Sequence, residues 1–376
     1  MRYDIKIKNA VLFLPYGERN HLEIGIKNGY IEAAAPCIPE EADIVIDAKG
    51  MLLTPGFIEA RLWMEQESAD NILKQCILHG DSAVRVNVAV DKIRGAGEAE
   101  AMHRLKKKYE DKIDILLTVN GGEDSREAWI QAVNNGWADV MGGCPDLYQT
   151  LEGASFLAEK AKEEADYLLS LSEKYHLPVD FTCCESDEPD ISLFRYICGQ
   201  TWQKKLGGAV TASHVTALDA KGISEEEAAD AAAWCAKSGV FVATFTSQDM
   251  FLMSEDRRGP ARVRQLYNAG VQLLIASGHV RDSFRPFGNC DLLEEALLTA
   301  QVHKFGTDKE LEEILRMITY YPAKACGLKK YGLLPGCEAN LVLLEAESAS
   351  EALRSQAGKK YVIHKGRLTA QSGRLL

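Results

Sequence analysis

Positive charge is what this sequence is short of. Its 43 Lys and Arg are outnumbered by 55 Asp and Glu, leaving a formal net charge of −12 over 376 residues. Such a chain repels phosphate backbones and anionic lipid, so neither nucleic acid nor a membrane surface is an expected partner. No apolar run approaches the roughly 20 residues that span a bilayer. The opening run MRYDIKIKNAVLF lacks the basic-then-apolar order of a signal segment. Internal repeats and low-complexity tracts are missing too. The ten cysteines, at 37, 76, 144, 183, 184, 198, 235, 290, 326 and 337, form no even framework. Free thiols in a reducing cytoplasm are the expectation.

What remains is ordinary globular composition, 46% hydrophobic and 26% charged. Residues 1–54 read as short strands, Ile5–Leu14, Leu22–Lys27, Tyr30–Ala34 and Ile44–Asp47, punctuated by turns such as Asn28-Gly29. The far end repeats this style with Asn340–Leu344, Lys360–His364 and Arg367–Thr369 around Gly366. Two strand-rich ends flanking a mixed middle predict one small β-sandwich-like domain built from residues 1–54 and 330–376.

The middle alternates. Strand-like apolar runs fall at Gly56–Arg61, Ala83–Val90, Asp114–Val119, Ala138–Met141, Val179–Cys184, Ala209–His214, Val240–Phe245 and Val271–Ser277. Helix-like stretches separate them, among them Ala154–Tyr175 and Glu225–Ser238, the latter with Ser224 as an N-cap before an acidic first turn. Eight β-then-α units over residues 55–329 predict a (β/α)8 TIM barrel. A doubly wound open sheet would favour a glycine-rich phosphate turn after an early strand, and none is present. In such a barrel chemistry sits at the carboxyl ends of the strands. Here those ends carry Arg61 and Trp63, Asn87, Asn120, Cys144, Thr182 to Glu185, His214, Thr246, and Gly278 with His279.

Several runs carry a resemblance. Val45-Ile46-Asp47-Ala48-Lys49-Gly50 and Leu53-Thr54-Pro55-Gly56-Phe57-Ile58-Glu59-Ala60 resemble the amino-terminal signature of the amidohydrolase superfamily. Tyr321-Pro322-Ala323, Leu334-Pro335-Gly336 and Ala339-Asn340-Leu341-Val342-Leu343-Leu344 resemble its carboxyl-terminal β segment. Val210-Thr211-Ala212-Ser213-His214, and Val280-Arg281-Asp282 with Phe284 and Pro286-Phe287-Gly288-Asn289, are similar to the cytosine deaminase branch. The resemblance covers essentially the whole chain. It implies hydrolysis of a C–N bond in a small nitrogen heterocycle by metal-bound hydroxide, the metal lowering the pKa of water from 15.7 to about 7. The family's ligands are a His-x-His pair after the first strand, a His after the fifth and an Asp after the eighth.

This chain departs from that pattern at every such position. Arg61-Leu62-Trp63 replaces His-x-His, Thr182 stands where the fifth-strand His belongs, and Gly278 replaces the Asp. Asn87 replaces a companion His. None of Arg, Trp, Thr or Gly is a usual ligand for a catalytic divalent ion, so no metal or other cofactor is expected. The resemblance retains the metal-independent half: Glu185 at the proton-relay position, His214 after the sixth strand, Asn120 at an amide position and Phe284 as an aromatic over the ring. Without the metal, about 8–9 pKa units of water activation are lost, on the order of 12 kcal/mol. A general base returns only ~10²–10⁴-fold, about 3–5 kcal/mol.

Each residue has a bland reading beside the functional one. Arg61 either pairs with Glu59, Glu65 or Glu185, or stands in for the metal's charge and takes a carboxylate or carbonyl of a ligand. Trp63 either fills the space of an ion and its water or stacks on a flat ligand. Glu185 and His214 are the acid–base candidates. His279, Asp282, Asn120 and Phe284 are candidate substrate contacts. Cys144, Cys183 and Cys184 raise a thiolate metal site, limited because adjacent strand residues face opposite ways. Three functions follow: a deaminase-inactive protein binding a small planar ligand, preferably a carboxylate or enolate; a metal-free enzyme using Glu185 and His214 with Arg61 as electrophile; or a thiol-ligated hydrolase. A homo-oligomer is compatible with all three.

Overall fold

The computed structural model describes residues 2–145, 154–253 and 260–376. Two sheets organise the chain. The first gathers both ends: β1 (Tyr3–Leu14), β2 (Gly17–Lys27), β3 (Tyr30–Ala35), β4 (Ala42–Asp47) and β5 (Leu52–Pro55) come from the start of the chain. The second is the barrel: β6 (Phe57–Trp63), β7 (Asp81–Ala89), β8 (Asp114–Gly121), β9 (Val140–Gly143), β10 (Val179–Cys183), β11 (Val210–His214), β12 (Phe241–Thr244) and β13 (Leu273–Ile275). After it, β14 (Leu341–Leu344), β15 (Lys359–His364), β16 (Arg367–Gln371) and β17 (Arg374–Leu375) return to the first sheet.

In that first sheet β14 lies antiparallel on β5, Leu341 opposite Pro55 and Leu344 opposite Leu52. The two ends of the chain are thereby one sheet of order β17-β16-β15-β14-β5-β1-β2-β3, with β4 on β1. Register irregularities between Ile7 and Leu12 bend β1, which pairs with β4 along its first half and with β5 along its second. The bent sheet encloses its own core, including Ile5, Ile7, Leu12, Ile24, Ile26, Leu53, Leu341 and Ile363. The short strand β5 and the helix Ala349–Arg354 were not among the sequence expectations; both are too brief to show a period.

The eight barrel strands are parallel and consecutive, β6 to β13. Their outward residues, such as Leu62, Val84, Val86, Leu117 and Phe181, join helix residues Leu73, Met102, Trp129 and Leu168 in one buried cluster. Burial on both faces explains why these strands read as continuous apolar runs. The helices Ala154–Tyr175 and Glu225–Ser238 keep the expected bounds. Ser224 accepts from the Glu227 N–H at 3.1 Å, and Gly239, at φ 74°, ends that helix. Closure is made at Gly278, whose O accepts from Trp63 N (2.8 Å) and whose N–H donates to Arg61 O (3.0 Å). No helix among the described residues is long and apolar enough to cross a membrane.

Candidate functional site

The site is built by strand periodicity. Along β6 the register with β7 slips between Glu59 and Leu62, and Arg61 turns into the barrel. On β7 and β10 the charged residues Arg85 and Asp180 sit two positions before Asn87 and Thr182, hence on the same inner face. Arg61 Nη1 donates to Asp180 Oδ1 at 3.2 Å and Arg61 Nη2 to Thr182 Oγ1 at 2.5 Å. Arg85 Nη2 donates to Asp180 Oδ2 at 2.5 Å, and the Ser213 hydroxyl to Asp180 Oδ1 at 2.6 Å. Neither β6 nor β7 neighbours β10, so the arginine bonds cross the barrel interior. All three charged side chains are 2% exposed or less. Burial alone would push the Asp180 carboxyl up; Arg85 and then Arg61 hold it below the usual carboxylate range.

This corrects one expectation. Arg61 pairs with neither Glu59, Glu65 nor Glu185 through its side chain, but with Asp180. Glu59 is taken up by backbone: it accepts from the N–H groups of Arg61 (3.2 Å) and Ser277 (3.1 and 3.2 Å), and burial raises its pKa to about 7.

His214 ends β11 beside this cluster, buried, with its ring stacked on Phe245 at 4.1 Å. Its Nδ1 lies 3.4 Å from Glu185 Oε1 and 3.5 Å from Asp249 Oδ1. The structure thus brings the two acid–base candidates together and adds Asp249, from the helix Thr246–Leu252, which sequence reasoning missed. Burial, with Arg61 near, pulls the His214 pKa down to about 4 although Glu185 and Asp180 act the other way. Across the mouth, His279 Nδ1 meets Asp282 Oδ2 at 2.6 Å, its ring 4.7 Å from Phe284 and 6.2 Å from Trp63. Asp282 Oδ1 accepts from the N–H groups of Phe284 and Arg285, so this carboxylate shapes the loop and orients His279. Phe284 itself is 57% exposed. Asn120 Nδ2 donates to Asn87 Oδ1 at 2.7 Å, and Gly142 makes room for it, since a Cβ there would meet Asn120 Oδ1 at 2.3 Å.

The donor set does not suit the metal that the motifs imply. A guanidinium, an indole, a hydroxyl and a glycine occupy the four ligand positions. Space is also taken: a Cβ on Gly278 would come within 2.1 Å of Gln248 Oε1 and 2.9 Å of Phe245 Cδ1, so an Asp there would displace both. Among the described residues, no three His, Cys, Asp or Glu side chains are grouped to hold a metal ion. The cysteine expectation needs correction as well. Cys183 and Cys184 do not face apart; both are buried and their sulfurs lie 3.6 Å from each other. Cys184 leaves the strand at φ 52°, which breaks the alternation.

A cleft of about 880 Å³ opens at the other end of the barrel, lined by Trp202, Lys205, Lys237 and Lys324 among others. Lys237 and Lys324 lie in the last turns of their helices, where a cation answers the helix dipole. That end carries none of the residues above.

Comparison with known proteins agrees with this architecture. The chain is 25% identical over 416 aligned positions to the N-isopropylammelide isopropyl amidohydrolase of Pseudomonas sp. (strain ADP), covering 97% of each chain. It is 23% identical to a pterin deaminase of Rhizobium rhizogenes, over 80% of this chain and 68% of that one. Among solved structures, the 5-methylcytosine deaminase of Klebsiella pneumoniae liganded with 5-fluorocytosine superposes with a TM-score of 0.84 at 24% identity, over 99% of this chain and 98% of that one. Residues 76–370 match the amidohydrolase family along most of the barrel and into the returning β strands, and the chain belongs to that family.

Proposed function

We propose that this amidohydrolase-family protein binds a small planar nitrogen heterocycle at the barrel mouth and no longer carries out metal-dependent deamination. The observation that carries the reading is the shared carboxylate: Arg61 and Arg85 both bond Asp180 inside the barrel, with Arg61 at a ligand position of the family. Within that cluster two guanidiniums share one carboxylate, and the further carboxylates, Glu185 and Asp249, face His214. A ligand bearing a carboxylate or enolate oxygen, met by Arg61, is favoured over a neutral amidine. The heterocycle class is supported by the names of the relatives, which specify 5-methylcytosine and pterin as targets of deamination. Loss of metal-bound hydroxide removes on the order of 12 kcal/mol of water activation, far beyond the about 3–5 kcal/mol that Glu185 or His214 returns as a general base.

A second reading is favoured by one contact. His214 lies within 3.5 Å of both Glu185 and Asp249, an arrangement able to move a proton on a bound acid without any hydroxide. Isomerisation or elimination would suit it.

The test begins with protein purified without added metal. It should contain well under one equivalent of zinc, iron or manganese, and chelator should leave its melting temperature unchanged. With cytosine, isocytosine and excess zinc it should release no ammonia above background. A thermal-shift screen of oxopyrimidines and heterocyclic acids should find a compound that stabilises the wild type and not Arg61→Met. Stoichiometric metal lost on replacing Cys144 or Cys183 would overturn the reading. So would deamination that depends on Glu185. Hydrogen exchange of the best hit in D₂O, abolished in His214→Gln, would select the metal-free enzyme.

A further inference from the structure

The residue that sequence reasoning missed beside His214 has a consequence for which ring nitrogen meets the ligand. Nδ1 of His214 is buried without a hydrogen-bond partner of good geometry, and two carboxylates face it, Glu185 at 3.4 Å and Asp249 at 3.5 Å. A lone pair at Nδ1 directed at two carboxylate oxygens would be repulsive, whereas an N–H there is attracted by both. The two carboxylates are not equivalent. Glu185 is 36% exposed and carried by a loop after β10, while Asp249 is 2% exposed and fixed within the helix Thr246–Leu252, its own N–H bonded to Phe245 O at 2.8 Å. Phe245, which leads into that helix, also stacks on the imidazole. Ring plane and Nδ1 direction are thus set by one segment.

The backbone supports a demanding placement. His214 has φ 76° and Val215 φ 50°, two successive non-glycine residues in the left-handed region, one of them β-branched. Such residues are strained and persist where the surroundings over-determine them.

We infer that Asp249 is a positioning residue that holds His214 as the Nδ1–H tautomer, leaving Nε2 as an acceptor for a ligand N–H or O–H. The low basicity of the buried ring agrees with a neutral imidazole at pH 7. The ligand half of this inference rests on the binding role proposed above; the tautomer half does not. The two are separable by experiment. Long-range ¹H–¹⁵N spectra of histidine-labelled protein, with the His214 signals assigned by their loss in His214→Gln, should show a neutral Nδ1–H ring in the wild type at pH 7. In Asp249→Ala the pattern should move toward the Nε2–H form, and Asp249→Glu should keep part of the wild-type signal. Binding of the best screened heterocycle should weaken about tenfold in Asp249→Ala, with the Nε2 resonance moving on ligand addition only in proteins that keep the Nδ1–H form. A wild-type ring protonated at Nε2, or an Asp249→Ala spectrum identical to wild type, overturns the inference whatever the ligand screen gives. Should Asp249→Ala fail to fold, Asp249→Leu, close in size and unable to accept a hydrogen bond, gives the same readings. Absence of any ligand in the screen, with the expected tautomer present, defeats the binding role and leaves the tautomer assignment standing.

Discussion

The inner wall of the barrel has two unlike halves. From β6 to β11 it carries Arg61, Arg85, Asn87, Thr118, Asn120, Asp180, Thr182 and Ser213, all buried. Along β12 and β13 it turns apolar, with Phe241, Ala243, Phe245, Leu274 and Ala276 in one cluster that includes Ala60. The apolar half needs only to be filled. The polar half buries charge: Arg61, Arg85 and the Ser213 hydroxyl converge on a single anion, Asp180, while Arg61 Nε, Arg85 Nε and Nη1, Asn87 Nδ2 and Thr118 Oγ1 are buried without a hydrogen-bond partner. That difference teaches where the fold is vulnerable: a barrel wall built around a buried charge cluster depends on the one residue that balances it.

The sharpest way to break the comparison is at Asp180. Asp180→Asn removes the counter-charge of two fully buried guanidiniums, and breaking a buried pair typically costs about 3–5 kcal/mol. Leu274→Ala, in the apolar half, should cost about 2–4 kcal/mol. Urea unfolding should rank Asp180→Asn as the worse of the two. The triple replacement Arg61→Met, Arg85→Met, Asp180→Leu should recover most of the loss, because apolar residues of similar volume relieve the desolvation. A triple variant no better than Asp180→Asn would mean that packing, not charge balance, organises this half.

These halves were unequally legible. The barrel and the paired termini could be read because continuous apolar runs and hairpin turns repeat over many residues, and the bounds of Glu225–Ser238 follow from its Ser224 cap and its period. Asp180 and Arg85 could have been found too, as charges within apolar strands two residues before Thr182 and Asn87. Attention to strand ends passed over them. Asp249 and Gln248 carried no comparable signal: they lie in a short helix after β12, and only the fold shows that this helix turns them inward. The pairing of Arg61 was missed for a related reason: the acids considered were its chain neighbours Glu59 and Glu65 and the strand-end Glu185, whereas Asp180 lies inside β10.

Acid sharpens the comparison at His214. The folded pKa is about 4 against the ordinary 6.5, so the folded state favours the neutral ring. For a base whose folded pKa is depressed, that stability is present above 6.5 and lost as pH falls toward 4, about 3 kcal/mol for this group. His303 and His364, also at about 4, act in the same window. Glu59 opposes them: raised to about 7, it favours the folded state at low pH and loses that contribution as pH rises from 4.5 to 7. Asp81 and Glu295, both raised by burial, act in the same direction as Glu59, so the whole-protein pH profile is not the readout. The difference between wild type and His214→Gln isolates the one residue: the gap should narrow by about 3 kcal/mol over that range. A gap independent of pH would mean that His214 titrates alike in folded and unfolded chains.

The smallest expected effect tests the seam where the two halves meet. Gly278 joins β6 to the end of the apolar wall at φ 69°, with Gln248 Oε1 and Phe245 Cδ1 within 2.1 and 2.9 Å of where a Cβ would stand. Gly278→Ala meets two separate penalties. The left-handed backbone costs roughly 1–2 kcal/mol for a residue with a Cβ, and the Gln248 side chain, with the Phe245 ring edge behind it, must also give way. Gln248→Ala clears the nearer obstacle and leaves the backbone term untouched. Gly278→Ala should therefore destabilise the protein by about 1–3 kcal/mol, while the same substitution made in a Gln248→Ala background should cost about 1–2 kcal/mol. A double-mutant cycle in urea reads that coupling directly. If the cost of Gly278→Ala is the same in both backgrounds, the Gln248 amide does not fill the space beside Gly278, and the steric argument against a ligand Asp at this position fails with it.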